Sequence, residues 1–80
     1  MGINIKIITP QSTLYSGTAQ SISSFNSKGK FDILVNHSHF VSEIQKKIII
    51  IDNENNEKVF NLKNGVIRCA NNEVQIYIVQ

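Results

Sequence analysis

The stretch Ile3-Asn4-Ile5-Lys6-Ile7 decides how the start of this 80-residue chain folds. Isoleucine alternates here with a polar residue, and successive side chains of an extended strand point to opposite faces. The pattern therefore predicts a β-strand with one buried face, ending at Thr9-Pro10.

Further runs with the composition of strands follow this one along the chain. They cover residues 13–16, 18–26, 31–35, 40–44, 47–52, 58–62, 66–70 and 74–79, and are rich in β-branched and aromatic residues. Turn-forming residues separate them at intervals of roughly 8–12 residues, a spacing typical of a sandwich or barrel. The predicted fold class is therefore all-β, with mostly antiparallel short strands.

Two dipeptides near the C-terminal end tolerate a positive φ, Asn64-Gly65 and Asn71-Asn72. Such residues suit the tight turns of β-hairpins, so two hairpins are predicted there. Residues 38–46 leave one alternative open, a helical turn or two. No repeat or linker divides the chain, which indicates a single domain over residues 1–80.

The size of the chain limits the classes of function that it can carry. A domain of this length buries only about 60% of the surface that its unfolded chain would expose. A thin core leaves little room for a deep pocket with convergent catalytic groups, whereas a face for a partner is easily presented. The small size of the chain therefore favours a binding module over an enzyme.

The charge pattern argues against nucleic acid as a partner. The formal net charge is only +2, the lysines are scattered, and acidic residues are interleaved with them from Asp32 onward. The six aromatic residues are spread along the chain, as core residues are. The lone Cys69 cannot form an internal disulfide, and no signal peptide is recognisable, so an intracellular protein is expected.

The run from Ile48 to Ile51 is apolar at every position. It is far shorter than the ~20 residues that span a bilayer, so any membrane role is expected to be indirect. A strand that is apolar on both faces suits a covered central position, or a place where a partner covers the second face.

His37 and His39 are the most conspicuous candidate ligands. On an extended chain both side chains point the same way and could hold one metal ion. A structural zinc site needs four ligands, however, and Cys69 with scattered acids supplies no second half. A polar loop with an imidazole bonded to backbone is the alternative, and neither Ser38 nor Cys69 lies in a nucleophile motif.

Four blocks, in order along the chain, resemble one known family, the N-terminal β-sandwich domain of the epsilon subunit of F-type ATP synthases (delta in mitochondria). They are Ile5-Lys6-Ile7-Ile8-Thr9-Pro10 with Leu14-Tyr15-Ser16-Gly17, Gly29-Lys30-Phe31-Asp32-Ile33-Leu34 with Asn36-His37, residues 59–67, and residues 72–78. The likeness runs from Ile3 to Val79 and does not include the C-terminal helical hairpin of longer members.

This resemblance implies a flattened sandwich of about ten strands and a non-catalytic rotor part in the central stalk, joining the gamma subunit to the c-subunit ring. It implies no catalytic residue, cofactor or metal, and a peripheral place in the F1 sector on the cytoplasmic face of the inner (or energy-transducing) membrane. By resemblance, one end of the sandwich should contact the c ring and gamma. The residues assigned to it are Ser27, Lys28, Gly29, Lys30, His37, Ser38, His39 and Ser42.

The chain also departs from the family pattern. Lys30 stands where an acidic residue is common, and Arg68 replaces another acid. Val35, Ser38 and His39 replace residues of a proline-rich loop, which predicts a less rigid connection. A divergent paralogue, or a small binding module with a different protein partner, is therefore the alternative.

Overall fold

A computed structural model describes residues 2–79 of the chain and shows seven strands. These are β1 (Ile3–Ile8), β2 (Thr13–Ala19), β3 (Ser21–Asn26), β4 (Gly29–Leu34), β5 (Phe40–Ile51), β6 (Glu57–Ala70) and β7 (Glu73–Val79). The predicted all-β class is confirmed, and the helical alternative for residues 38–46 is wrong because most of that segment lies in β5. Within residues 2–79 no helix is long and apolar enough to cross a membrane.

All seven strands belong to one sheet, in the order β2-β1-β7-β6-β5-β3-β4. Neighbours are antiparallel except for β1 and β7, which run parallel. Within β6, only residues 64–70 pair with β7. Within β5, it is mainly the C-terminal residues 49–51 that pair with β3. The two long strands therefore pass from one layer into the other, and the sheet folds over on itself.

The first layer consists of β2, β1 and β7 with residues 64–70 of β6 and 40–45 of β5. The second layer consists of β4 and β3 with residues 46–51 of β5 and 57–62 of β6. This geometry corrects the strand count from about ten to seven. The runs 40–44 and 47–52 form one strand, and so do the runs 58–62 and 66–70.

A bulge marks the point where the long strands change layer. Pairing shifts from Gln45 opposite Asn64 to Lys46 opposite Leu62, so Lys63 is the extra residue of β6. Lys46 takes a positive φ of 72°. Because side chains alternate along a strand, one extra residue reverses which positions face inward, from Leu62 before the bulge to Ile67 and Cys69 after it.

The space between the layers is filled by aliphatic side chains, most of them isoleucine. Its buried members are Ile3, Ile5, Ile7, Ala19, Ile22, Ile33, Ile44, Ile48, Ile50, Leu62, Ile67, Cys69, Val74, Ile76 and Ile78. Ile49 and Ile51 are half-buried on the outer side of β5, which lies between β3 and β6. The run therefore lies in a central strand, as predicted, although the outer face of that strand is only partly covered.

An aromatic pair lies at each open side of the sandwich, where β-ladder hydrogen bonds are missing. The rings of Tyr15 and Phe60 lie 5.6 Å apart, and those of Phe31 and Phe40 lie 5.2 Å apart. In both pairs one ring comes from each layer. Tilted aromatic pairs at this distance are favourable, so they hold the two layers together.

One predicted hairpin is confirmed and the other is wrong. Asn71 and Asn72 both have positive φ, 53° and 60°, and join β6 to β7. Asn64-Gly65 lies inside β6, where Gly65 pairs with Ile44 on one side and Ile78 on the other. A Cβ at Gly65 would lie 2.5 Å from the carbonyl oxygen of Tyr77, so glycine permits close approach of two strands rather than a turn.

Candidate protein-interaction surface

The outer side of the first layer carries an apolar face on four neighbouring strands. Val66 lies opposite Tyr77, and Tyr77 lies opposite Ile8, so these side chains share one face. Val41 is 66% exposed, Val66 42%, Tyr77 48% and Val79 50%, while Ile8 is half-buried. We call these five residues the apolar face. Adjacent exposed apolar residues of this kind mark surfaces that contact other proteins.

A groove of about 1090 Å³ continues from the apolar face at one end of the sandwich. Its walls come from the ends of β1 and β7, the β3–β4 turn, the first half of β5 and the middle of β6. The apolar face and the groove share all five residues of that face, so they form one continuous surface.

The β3–β4 turn forms the rim of the groove. The side-chain oxygen of Asn26 accepts a hydrogen bond from the backbone N–H of Lys28 at 2.9 Å, and Gly29 takes a φ of 118°. A side chain is strained at such a φ, which explains the glycine. The turn places Ser27 and Lys28 in the groove wall, and Asn26 also donates to the hydroxyl of Ser42 at 3.2 Å.

The histidine loop lies between β4 and β5. The Nδ1 of His37 donates a hydrogen bond to the Ser38 carbonyl oxygen at 2.7 Å. The ring centroids of His37 and Phe40 lie 5.7 Å apart in a T-shaped arrangement. The Nε2 of His39 lies 3.5 Å from the side-chain oxygen of Asn71. Each imidazole thus has its own partner. No group of three or more metal-ligating side chains comes together in residues 2–79, and the absence of a metal stays a prediction.

The eight predicted interface residues do not lie at one place. Ser27, Lys28 and Ser42 line the groove, and Gly29 and Lys30 follow directly at the start of β4. His37, Ser38 and His39 follow the other end of β4, a strand about 17 Å long at ~3.3 Å per residue, and are not among the residues that line the groove. The structure therefore divides the predicted set into a groove group and a histidine-loop group, and leaves its role as an interface a prediction.

Sequence reasoning missed the apolar face. Its signal was present in β7, where Tyr77 and Val79 occupy the positions that alternate with the buried Ile76 and Ile78. Apolar residues on both faces of a strand indicate a covered second face, a conclusion drawn from the sequence only for Ile48–Ile51. The same criterion applied to β7 would have indicated a second covered face.

The β5–β6 turn, at the far end of β5 from the bulge, holds the clearest electrostatic feature. The Oδ1 of Asp52 accepts hydrogen bonds from the backbone N–H groups of Glu54 at 2.8 Å and Asn56 at 2.9 Å. Backbone bonding, chiefly from Asn56, lowers the pKa of Asp52 below its usual value of 3.8. Burial raises the pKa of the Cys69 thiol, so this core residue is not a poised nucleophile.

Proteins of known sequence resemble the chain over nearly its whole length. A Clostridium novyi "ATP synthase epsilon chain" is 33% identical over 73 residues, which are 90% of this chain and 56% of that relative. A Helicobacter pylori protein of the same name is 26% identical over 74 residues, 92% of this chain and 60% of that relative. The chain thus spans little more than half the length of these relatives.

Solved structures share the fold at low sequence identity. A chain in the cryo-EM structure of the Euglena gracilis mitochondrial ATP synthase (OSCP/F1/c-ring) matches with a TM-score of 0.93 and 12% identity, over 99% of this chain and 51% of that one. A chain from the central stalk and c-ring of the Tetrahymena thermophila enzyme matches with a TM-score of 0.81 and 13% identity, over 100% and 65%.

A family model described as "ATP synthase, Delta/Epsilon chain, beta-sandwich domain" matches residues 2–79. That match covers every strand, both layers and the whole interaction surface described above. The chain belongs to the family of ATP synthase delta/epsilon chain β-sandwich domains.

Proposed function

We propose that this chain acts as a central-stalk rotor subunit of a proton-translocating F-type ATP synthase, joining the gamma subunit to the c ring. The observation that carries the proposal is the family match over residues 2–79. Relatives named ATP synthase epsilon chain, and fold neighbours in ATP synthase assemblies that include the c ring, support it.

The task of such a subunit is mechanical rather than chemical. Torque passes through a part that is stiff and has complementary surfaces, and it needs no acid, base or metal. The buried isoleucine core, the continuous hydrogen-bonded sheet and the aromatic pairs at both open sides supply stiffness. We therefore assign the chain no catalytic residue and no cofactor.

The apolar face is the surface that we assign to the gamma subunit. Its side chains would be buried against a partner of similar character, and apolar burial contributes about 25 cal/mol per Å². The groove group and the histidine-loop group are assigned to contacts with the c ring and gamma. The chain would then lie peripherally, through the complex only, on the cytoplasmic face of the energy-transducing membrane.

A matched pair of variants tests the assignment. Val66→Asp places a charge on the apolar face, whereas Val59→Asp places the same charge on the outer side of the second layer, where Val59 is 49% exposed. Calorimetric titration with the gamma subunit of the same organism should give at least tenfold weaker binding for Val66→Asp and little change for Val59→Asp.

Three results would count against the proposal. Equal binding of gamma by both variants and by the unmodified chain would remove the apolar face from the interface. A chain that binds neither gamma nor the c ring would instead be a paralogue with a different protein partner. Saturable binding of ATP to the chain alone would contradict a purely structural role.

A further inference from the structure

A group of lysines surrounds one aromatic ring on the outer side of the second layer. The Nζ of Lys46 lies 5.6 Å from the centroid of the Phe25 ring, and that of Lys47 lies 6.0 Å from it. Lys30 is the residue directly opposite Phe25 in the β3–β4 ladder. Two amino groups therefore lie near a single half-buried ring, in the geometry of cation–π contacts, and strand pairing places a third lysine opposite that ring.

Two more lysines extend this group. Lys28 lies in the β3–β4 turn, one residue before β4 begins, and Lys63 is the bulge residue beside Leu62, the partner of Lys46. We call Lys28, Lys30, Lys46, Lys47 and Lys63 the basic cluster. It holds five of the eight lysine and arginine residues of the chain.

Two carboxylates lie near the basic cluster, that of Glu43 in the groove wall and that of Asp32 in β4. Within residues 2–79 the one carboxylate oxygen within 4.0 Å of its amino groups is the Oδ1 of Asp32, at 4.0 Å from Lys30. Half of the acidic residues, Asp52, Glu54 and Glu57, lie in or beside the β5–β6 turn, at the far end of β5 from the bulge. Most of the lysines thus lie toward one end of the second layer and half of the acids toward the other, although the net charge is only +2.

The backbone beneath the cluster is fixed in place. The buried hydroxyl of Ser24 donates to the carbonyl oxygen of Lys47 at 2.8 Å, across a register shift between β3 and β5. The side-chain amide of Gln45, next to the bulge, donates a hydrogen bond to the carbonyl oxygen of Asn26 at 3.4 Å. Like charges held near one another repel, so an external anion would be attracted to this cluster.

The structure favours a protein loop over a lipid surface as the source of that anion. Lys28 belongs both to the basic cluster and to the groove wall, where Ser27, Ser42 and Gln45 offer hydrogen-bonding groups suited to a peptide. A flat layer of lipid headgroups would meet the lysines but would leave this concave part unfilled. A protruding loop with carboxylates can meet both parts at once.

We propose that the basic cluster and the adjoining groove rim dock an acidic polar loop of the membrane-embedded partner, which places carboxylates on the side of the c ring that faces this chain. The inference rests on the proposed function and specifies the chemistry of one of its contacts. Charge complementarity of this kind sets the choice of partner and the association rate, and it weakens as salt screens it.

The test uses a charge-reversal pair and a control of equal net charge. Lys30→Glu/Lys46→Glu changes the basic cluster, whereas Lys6→Glu/Lys58→Glu makes the same change in net charge away from it. Both proteins are titrated against the c ring of the same source in phosphatidylcholine nanodiscs, at about 50 mM and about 500 mM salt.

The cluster variant should bind the ring at least tenfold more weakly than the unmodified chain at low salt. The difference should shrink at high salt because the Debye length falls toward ~3 Å at 1 M. The control variant should stay within about twofold. Equal binding by the cluster variant at low salt would overturn the inference and leave the proposed function standing.

Two further arms separate the remaining outcomes. Phosphatidylglycerol vesicles without the ring should not bind the chain as tightly as the nanodiscs do, and equal or tighter binding would assign the cluster to lipid instead. The gamma subunit should bind the cluster variant as it binds the unmodified chain. If the unmodified chain binds gamma but not the ring, the inference fails together with the ring contact of the proposed function, and if it binds neither, the proposed function fails as a whole.

Discussion

The two outer faces of the sandwich differ although one continuous sheet forms both. The first layer presents the apolar face, with Val66 and Tyr77 at its centre, whereas the second presents lysines around Phe25. The inner faces of both layers are filled by the same kind of aliphatic side chain. Because the inner face determines the fold, the outer faces are free to specialise for different partners.

Removal of Lys63 is the change that should break this difference most completely. Without the bulge residue, side chains would alternate without interruption along the whole of β6. Either Phe60 and Leu62 or Ile67 and Cys69 would then turn outward. Each exposed side chain costs roughly 1.5–3 kcal/mol. A small domain is stable by only about 5–15 kcal/mol, so we expect no cooperative thermal transition by circular dichroism.

A substitution at the same position is the control for that deletion. Lys63→Ser keeps the extra residue and changes only an exposed side chain, so its melting curve should stay close to that of the unmodified chain. A deletion variant that melts cooperatively within a few degrees of the substitution variant would mean that the bulge does not separate the two layers.

The next largest effect should come from Gly65→Ala, which tests how closely the strands beneath the apolar face approach. The new methyl group would meet the carbonyl oxygen of Tyr77, a backbone atom that cannot turn aside. We expect a loss of about 1–3 kcal/mol in the free energy of unfolding, measured in urea. Gly17→Ala is the control, because its methyl group would meet the movable hydroxyl end of Tyr15 at 3.3 Å. Equal losses would contradict this account.

Replacement of the central ring of each face sharpens the comparison further. Phe25→Leu keeps an apolar side chain but removes the π-face that lies near two lysine amino groups, so we expect a loss of about 0.5–1 kcal/mol. Tyr77→Leu removes no such contact and should change stability by less than about 0.5 kcal/mol. Chemical unfolding at low salt measures both, and a larger loss for Tyr77→Leu would reverse the assignment.

The smallest effect concerns Asp52, at the end of the molecule that carries the acids. Because its pKa is lowered by folding, its contribution to stability is complete above the unfolded value of 3.8 and is lost as pH falls through the folded value. Asp52→Asn should therefore have a flatter dependence of stability on pH below about pH 4 than the unmodified chain. Parallel curves would show that the turn gains nothing from the carboxylate.

Alternation of side chains predicted much of this fold. The isoleucines of β1 and the pair Asn71-Asn72 carry local signals, and the structure confirms both. The bulge at Lys63 carries no local signal, because its phase reversal depends on the partner strand. Gly65 was misread for the same reason, since its close neighbour is the Tyr77 carbonyl oxygen and not a turn.

The candidate surfaces were only partly predictable. Ser27, Lys28 and Ser42 do meet at the groove, whereas the histidine loop follows the other end of β4, and the predicted strand over residues 31–35 already separates it from Lys30. The lysines look scattered because strand pairing, rather than chain order, brings Lys30 and Lys46 to the same ring. Long-range pairing is the information that a local pattern lacks.

The parallel pairing of β1 with β7 has a consequence for how the protein acquires its structure. Asn4 pairs with Glu73, so a strand formed at the beginning of the chain waits for the last strand before the first layer is complete. Contacts between residues so distant in sequence slow folding, because the chain loses the entropy of closing a long loop before these contacts can stabilise it. During synthesis on the ribosome, the unpaired edge of β1 stays open to wrong partners until β7 has emerged.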